Sequence, residues 1–175
     1  MSYIDQEDGN KKYVPYVIET SAGLNRNFLM LLCEAYEEQN VAKAGEPEDY
    51  RTVLHLDPRL APITVAVLPL MKKDGLAEKA KEIQHMLKED FVTDYDTSGT
   101  VGKRYRRQDE VGTPFCVTVD YDTIQEKKDD GTPNELFNTV TVRYRDSMEQ
   151  ERVALDDLVF FIQKAIKNYK PIERS

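Results

Sequence analysis

Apolar residues recur along this chain with two different periods, and their succession predicts an α/β protein. Ile63-Thr-Val-Ala-Val-Leu-Pro69 is a near-continuous apolar run of the kind buried on both faces of a sheet. Leu76, Ala80, Ile83 and Leu87 follow at helical spacing, with Asp74 as the expected N-cap and an end near Glu89. Phe91 to Tyr95 predicts a second strand, Asp96-Thr-Ser-Gly99 a turn capping the next helix, and Val101 to Glu110 that helix, stopped by Gly112-Thr-Pro114. Phe115-Cys-Val-Thr-Val119 is a third apolar strand, so the order is βαβαβ with a largely parallel core. Asp120 to Asn138 is polar and predicts an exposed excursion of hairpin character. Thr139 to Arg145 alternates like a half-exposed strand, and Gln150 to Val153 can pair with it. Leu155, Leu158, Val159, Ile162 and Ile166 place an apolar stripe on a final helix, whose first turn holds Asp156 and Asp157. The expected fold is α/β, a mixed sheet of about five strands with about three helices.

The first fifty residues follow another rhythm. Tyr3-Ile4 and Tyr13-Val14 flank a charged turn and predict a hairpin. Tyr16, Val17 and Ile18 are suited to a buried strand, and Phe28, Leu31, Leu32 and Ala35 predict a helix from about Asn25 or Arg26 to about Tyr36. Residues 37–49 are polar and read as a linker, and Arg51 to Asp57 is strand-like or helical. The expected division is therefore 1–50, a strand-helix unit, and 51–175, a compact α/β domain. The strand-to-helix junction carries Glu19, Ser21, Gly23 and Arg26. A carboxylate there can bind an ammonium, a hydroxyl can orient a ligand, a glycine admits close approach, and an arginine can stack on a base or pair with phosphate. From its residues alone, the junction is equally a polar loop capping a helix.

Composition narrows the function. A formal net charge of −8 argues against a protein that coats nucleic acid, because the overall field repels phosphate. Lys103, Arg104, Arg106 and Arg107 nevertheless crowd one predicted helix, either as a solvated face or as a local polyanion contact. Cys33 and Cys116 have neither CxxC spacing nor nearby histidines, and read as buried free thiols of a reducing cytosol. His55 and His85 are each solitary, and Asp94-Tyr-Asp96 and Asp120-Tyr-Asp122 read as strand ends rather than metal ligands. No apolar run has membrane-spanning length and residues 1–12 are unlike a signal peptide, so a cytoplasmic protein is expected.

Glu19-x-Ser21-x-Gly23-x-x-Arg26 after an apolar strand resembles motif 3 of the class II aminoacyl-tRNA synthetases, in the form found in dimeric glycyl-tRNA synthetases. Three later blocks resemble the C-terminal anticodon-binding domain of the same family: Asp57 to Pro69, Ser98 to Phe115, and Arg145 to Arg152. The resemblance covers nearly the whole chain, in order. It implies that Glu19 holds the α-ammonium of glycine, that Ser21 helps enclose a site without room for a side chain, and that Gly23 and Arg26 face ATP. It further implies tRNA(Gly) as partner, with Lys103, Arg104, Arg106 and Arg107 on the anticodon stem-loop backbone and Arg145, Gln150 and Arg152 as base readers.

The resemblance also has departures. Asn25 stands where many relatives carry an acidic residue and Thr20 where proline is common, and no motif 1 or motif 2 arginine precedes residue 15. The expectation is a C-terminal fragment of a longer, homodimeric ligase that uses ATP and Mg2+, with Met1 internal or added, no cofactor bound to the fragment, and no adenylate formation by the fragment alone. The alternatives are a free-standing nucleic-acid-binding accessory module descended from a synthetase, for which Glu19, Ser21 and Arg26 would have no use, and a small metabolite-binding α/β protein.

Overall fold

A computed structural model describes residues 2–128 and 130–172; Met1, Asp129, inside the expected excursion, and the last three residues lie outside the described part. By their contacts the residues form two units, Met1–Met30 and Leu31–Ser175.

The smaller unit holds a hairpin of β1 (Tyr3–Asp5) and β2 (Lys11–Tyr13), in which Tyr3 opposes Tyr13 edge to face at 5.6 Å between ring centroids. Helix α1 (Leu24–Ala35) begins in this unit. Tyr16, Val17 and Ile18, expected as a buried strand, form none and are 105%, 75% and 93% exposed. A strand is held by its cross-strand partners, and among the described residues none lies beside this run.

The larger unit is built on a five-stranded mixed sheet in the order β6-β5-β7-β8-β9. Its strands are β5 (Val65–Pro69), β6 (Thr93–Tyr95), β7 (Phe115–Val119), β8 (Thr139–Tyr144) and β9 (Gln150–Ala154). β5 runs parallel to β6 and β7, while β8 runs antiparallel to both β7 and β9. The connections are α2 (Leu76–Leu87), α3 (Val101–Val111) and a single turn, α4 (Tyr121–Ile124), and the chain closes with α5 (Leu158–Lys167). The expected α/β fold is therefore present, with α4 as an addition that the excursion concealed. Asp120 builds a capping box on α4 with Thr123. The N-cap of α2 is Gly75 rather than the expected Asp74, whose carboxylate instead accepts from the Tyr121 hydroxyl at 2.7 Å.

β5 and β7 are wholly buried because both their faces are covered, which is why they read as continuous apolar runs. On one face Val65, Val67, Phe115, Val117, Val119, Val140 and Val142 pack with α2 and α5 through Leu76, Ile83, Leu87, Leu158 and Ile162. On the other, Ala66, Leu68 and Cys116 pack against Tyr105 of α3. The helix α3 is capped at its start by Thr100, whose side chain accepts from the Lys103 N–H, and at its end by Gly112, at φ 85°.

Residues 37–40, expected as part of a linker, form with Tyr36 the strand β3 (Tyr36–Asn40), paired antiparallel with β4 (Tyr50–Leu54). This hairpin packs on α3: a Cβ at Gly112 would sit 2.9 Å from the Leu54 carbonyl oxygen. The packing thus places β3 and β4 together, across the division expected at residue 50.

Candidate nucleic-acid interface

The hairpin is tied to the larger sheet by an interior cluster of ions that the apolar pattern did not announce. Asp109, 1% exposed, accepts from Arg143 through both oxygens at 2.8 and 3.0 Å and from Arg51 at 3.0 Å. Arg51 of β4 also donates to Gln39 Oε1 and to the Arg145 carbonyl. Such charges are tolerated in the interior because each is paired and hydrogen-bonded. The guanidinium of Arg143 lies 4.7 Å from the Tyr105 ring centroid.

Arg145 belongs to this cluster. It was expected to read a base, but it is 1% exposed, forks onto Asp146 at 2.6 and 2.9 Å and donates to the Gly112 carbonyl at 2.7 Å. These bonds hold its guanidinium inside the fold. Asp146 is also bonded to His55 Nδ1 at 2.7 Å, and His55 Nε2 meets Glu37 at 2.8 Å, so this histidine is neither solitary nor superficial. Burial raises the Asp146 carboxyl, but the bonds and charges of His55 and Arg145 outweigh it and hold the group at about 2.

Arg104 is likewise interior, 3% exposed, with its guanidinium donating to the carbonyls of Pro69 and Gly99. It ties the start of α3 to the end of β5, so its expected backbone contact with tRNA gives way to a structural one. The other three cations of α3 remain accessible. Lys103 is exposed, and Arg106 and Arg107 have side chains 40% and 43% exposed. Arg106 pairs with Asp49 and donates to the Tyr50 carbonyl at 2.9 Å, and Arg107 pairs with Asp96 and donates to the Ser98 carbonyl at 2.6 Å.

Beside α3 the sheet is open. The pleat places Thr139, Thr141, Gln150 and Arg152 on the same face as Cys116 and Arg143, and this strip lies past the strands that α3 covers. Gln150 is exposed there. Arg152, with a side chain 22% exposed, is held upright by Asp120 at 2.9 Å and by the hydroxyls of Thr139 and Thr141 at 2.6 and 3.0 Å. Although burial raises the Asp120 carboxyl, Arg152 and Thr123 hold it below the usual carboxylate range. A polar, hydrogen-bonding strip suits nucleobase edges, and accessible cations suit phosphate.

A crevice of about 530 Å³ adjoins the start of α3, lined by Leu70, Lys72, Thr97, Gly99, Thr100 and Arg104. It sits at the carboxyl ends of β5 and β6, where a helix N-terminus favours negative charge. No motif announced it, since loops distant in sequence form it together.

The motif 3 residues are placed differently. Glu19, Ser21, Gly23 and Arg26 are all exposed, the first three in irregular chain and Arg26 in the first turn of α1. Gly23 and Arg26 are brought together, a Cβ at Gly23 lying 3.7 Å from Arg26 Cδ. Among the described residues, no group of three or more His, Cys, Asp or Glu could hold a metal ion. Cys33, expected buried, is exposed on α1, whereas Cys116 is buried; both are free thiols. Among the described residues no helix is long and apolar enough to cross a membrane.

Comparison with known proteins agrees with this geometry. The family described as "Anticodon binding domain" matches residues 64–165, which span the five-stranded sheet and nearly all its helices. Proteins named glycine–tRNA ligase are similar along almost the entire chain. That of Treponema denticola is 64% identical over 97% of this chain, and that of Borrelia hermsii 49% identical over the same share. That of Clostridium perfringens is 49% identical over 95% of it. The chain spans 35%, 35% and 33% of these three relatives. From the five-stranded sheet, the order of its strands and the match across them, this chain belongs to the anticodon binding domain family.

Proposed function

We propose that this chain is the anticodon-recognising part of a glycine–tRNA ligase, an ATP- and Mg2+-dependent, homodimeric, cytoplasmic enzyme that activates glycine and transfers it to tRNA(Gly). The observation that carries the reading is the polar strip of β8 and β9 on the sheet face that α3 partly covers. Lys103, Arg106 and Arg107 hold the phosphates of the anticodon stem-loop, and Gln150 and Arg152 present hydrogen-bonding groups to splayed bases. Arg104 and Arg145 act indirectly, by fixing α3 and the end of β8. Residues 1–50 contribute the glycine- and adenine-facing edge of the ligase site: Glu19 pairs with the ammonium, Ser21 limits the space, and Gly23 and Arg26 accept the nucleotide. The rest of that site comes from outside this chain, so the chain alone forms no glycyl-adenylate.

Lys103→Glu/Arg107→Glu tests the cationic face. The variant should remain folded by circular dichroism, lose at least tenfold in affinity for tRNA(Gly) at about 0.1 M salt, and show a shallower salt dependence. Unchanged affinity and salt slope would refute the assignment.

A further inference from the structure

Two of the three accessible cations of α3 are already paired within the fold. Arg106 is claimed by Asp49, which precedes β4, and Arg107 by Asp96, which follows β6, so carboxylates from two separate segments flank the helix. Each arginine is further steadied by a backbone carbonyl, Tyr50 for Arg106 and Ser98 for Arg107. Lys103 makes no ion pair among the described residues. These carboxylates, with Glu110 exposed on the same helix, offset the three cations, on a chain whose formal charge is −8.

We propose that Asp49 and Asp96 are specificity-determining residues of this face: they compete with RNA phosphates for Arg106 and Arg107 and so suppress binding of RNA at large. This deepens the reading of α3 as a tRNA-binding helix and rests on it. Nonspecific affinity for a polyanion grows with the number of phosphates that cations neutralise, so two arginines already neutralised within the fold contribute little to it. A rigid stem-loop that sets phosphates opposite both arginines at once can displace both carboxylates together. A flexible strand meets them one at a time and gains less at each exchange. Exposed ion pairs are individually weak, so the exchange is cheap for the matching partner. Asp96 stays ionised to play this part: burial raises its carboxyl, but the Ser98 N–H and Arg107 hold it below the ordinary range.

The test uses the whole chain with Asp49→Asn/Asp96→Asn, in which the amide oxygen of residue 96 can still accept from the Ser98 N–H, bonded at 2.7 Å in the wild type. Poly-uridylate is the generic ligand and a tRNA(Gly) transcript the matching one. Affinity for poly-uridylate should rise about three- to tenfold at low salt, affinity for tRNA(Gly) by less, and the gain should vanish when Arg106→Ala/Arg107→Ala is added. Glu89→Gln/Glu135→Gln removes two charges elsewhere on the surface and should change poly-uridylate binding by less than about twofold. No rise with the aspartate variant, or an equal rise with the control, would overturn the inference. A wild-type chain that binds tRNA(Gly) no better than poly-uridylate would instead refute the anticodon reading, while the poly-uridylate comparison would still decide whether the carboxylates compete.

Discussion

Asp146→Asn separates the structural role of Arg145 from the role its sequence suggests. In the wild type, the Asp146 carboxyl is held at about 2 against an ordinary 3.8, because His55 and Arg145 outweigh the opposing effect of burial. At about 1.4 kcal/mol for each pH unit of displacement, the native state gains ~2 kcal/mol from this group when it is ionised. The unfolded chain takes up a proton here more readily than the folded one. The stabilisation is therefore complete above the ordinary value of 3.8 and is lost as pH falls through about 2. The variant has no proton to take up at this position. At neutral pH it also leaves Arg145, 1% exposed, without its charged partner, a change that typically costs about 3–5 kcal/mol. Urea unfolding followed by far-ultraviolet circular dichroism, at steps from about pH 6 to about pH 2, measures the stability gap between the two chains. That gap should narrow by ~2 kcal/mol across the range, with the narrowing concentrated below about pH 4. A gap that stays constant throughout would refute the account of Asp146, and with it the claim that Arg145 is held as part of the interior.

Gly112→Ala should lower stability by about 2 kcal/mol or more in the same unfolding assay, because φ is 85° and the new Cβ meets the Leu54 carbonyl oxygen at 2.9 Å. Arg104→Met should reduce the thermal midpoint through loss of the bonds to Pro69 and Gly99, whereas Lys103→Met should leave it within about 2 °C. A maleimide reagent should modify Cys33 and spare Cys116 in the folded chain, since burial pushes the Cys116 thiol up to about 12; mass spectrometry after a brief pulse reads the site.

Much of the fold was legible because it obeys the hydrophobic periods. β5 and β7 are covered on both faces, so their residues could be apolar without interruption, and the Asp96–Gly99 turn and Gly112 marked the ends of α3, whose N-cap is the next residue, Thr100. The strand β3 was hidden for the opposite reason. Its partly buried positions, Glu37 and Gln39, are polar because they meet His55 and Arg51, so a strand within a fold reads as a linker. Tyr16 to Ile18 has the composition of a strand, yet composition cannot supply the partner that would make it one. Among the candidate site residues, the α3 cations were found by their clustering, but which of them face solvent depended on acceptors far away in sequence. Pro69 draws Arg104 inward, and Gly112 and Asp146 retain Arg145. Asp49 lies too far along the chain from Arg106 for any local pattern to pair them.

Recognition of the anticodon is the central claim, and competition between two transcripts tests it most directly. One is tRNA(Gly) and the other is the same tRNA with its three anticodon bases replaced, so that charge, length and stem are unchanged. The account predicts that this chain binds the native transcript at least tenfold more tightly at about 0.15 M salt, because each lost base contact costs a substantial factor while the phosphate contacts persist. Equal affinity for the two transcripts would contradict it.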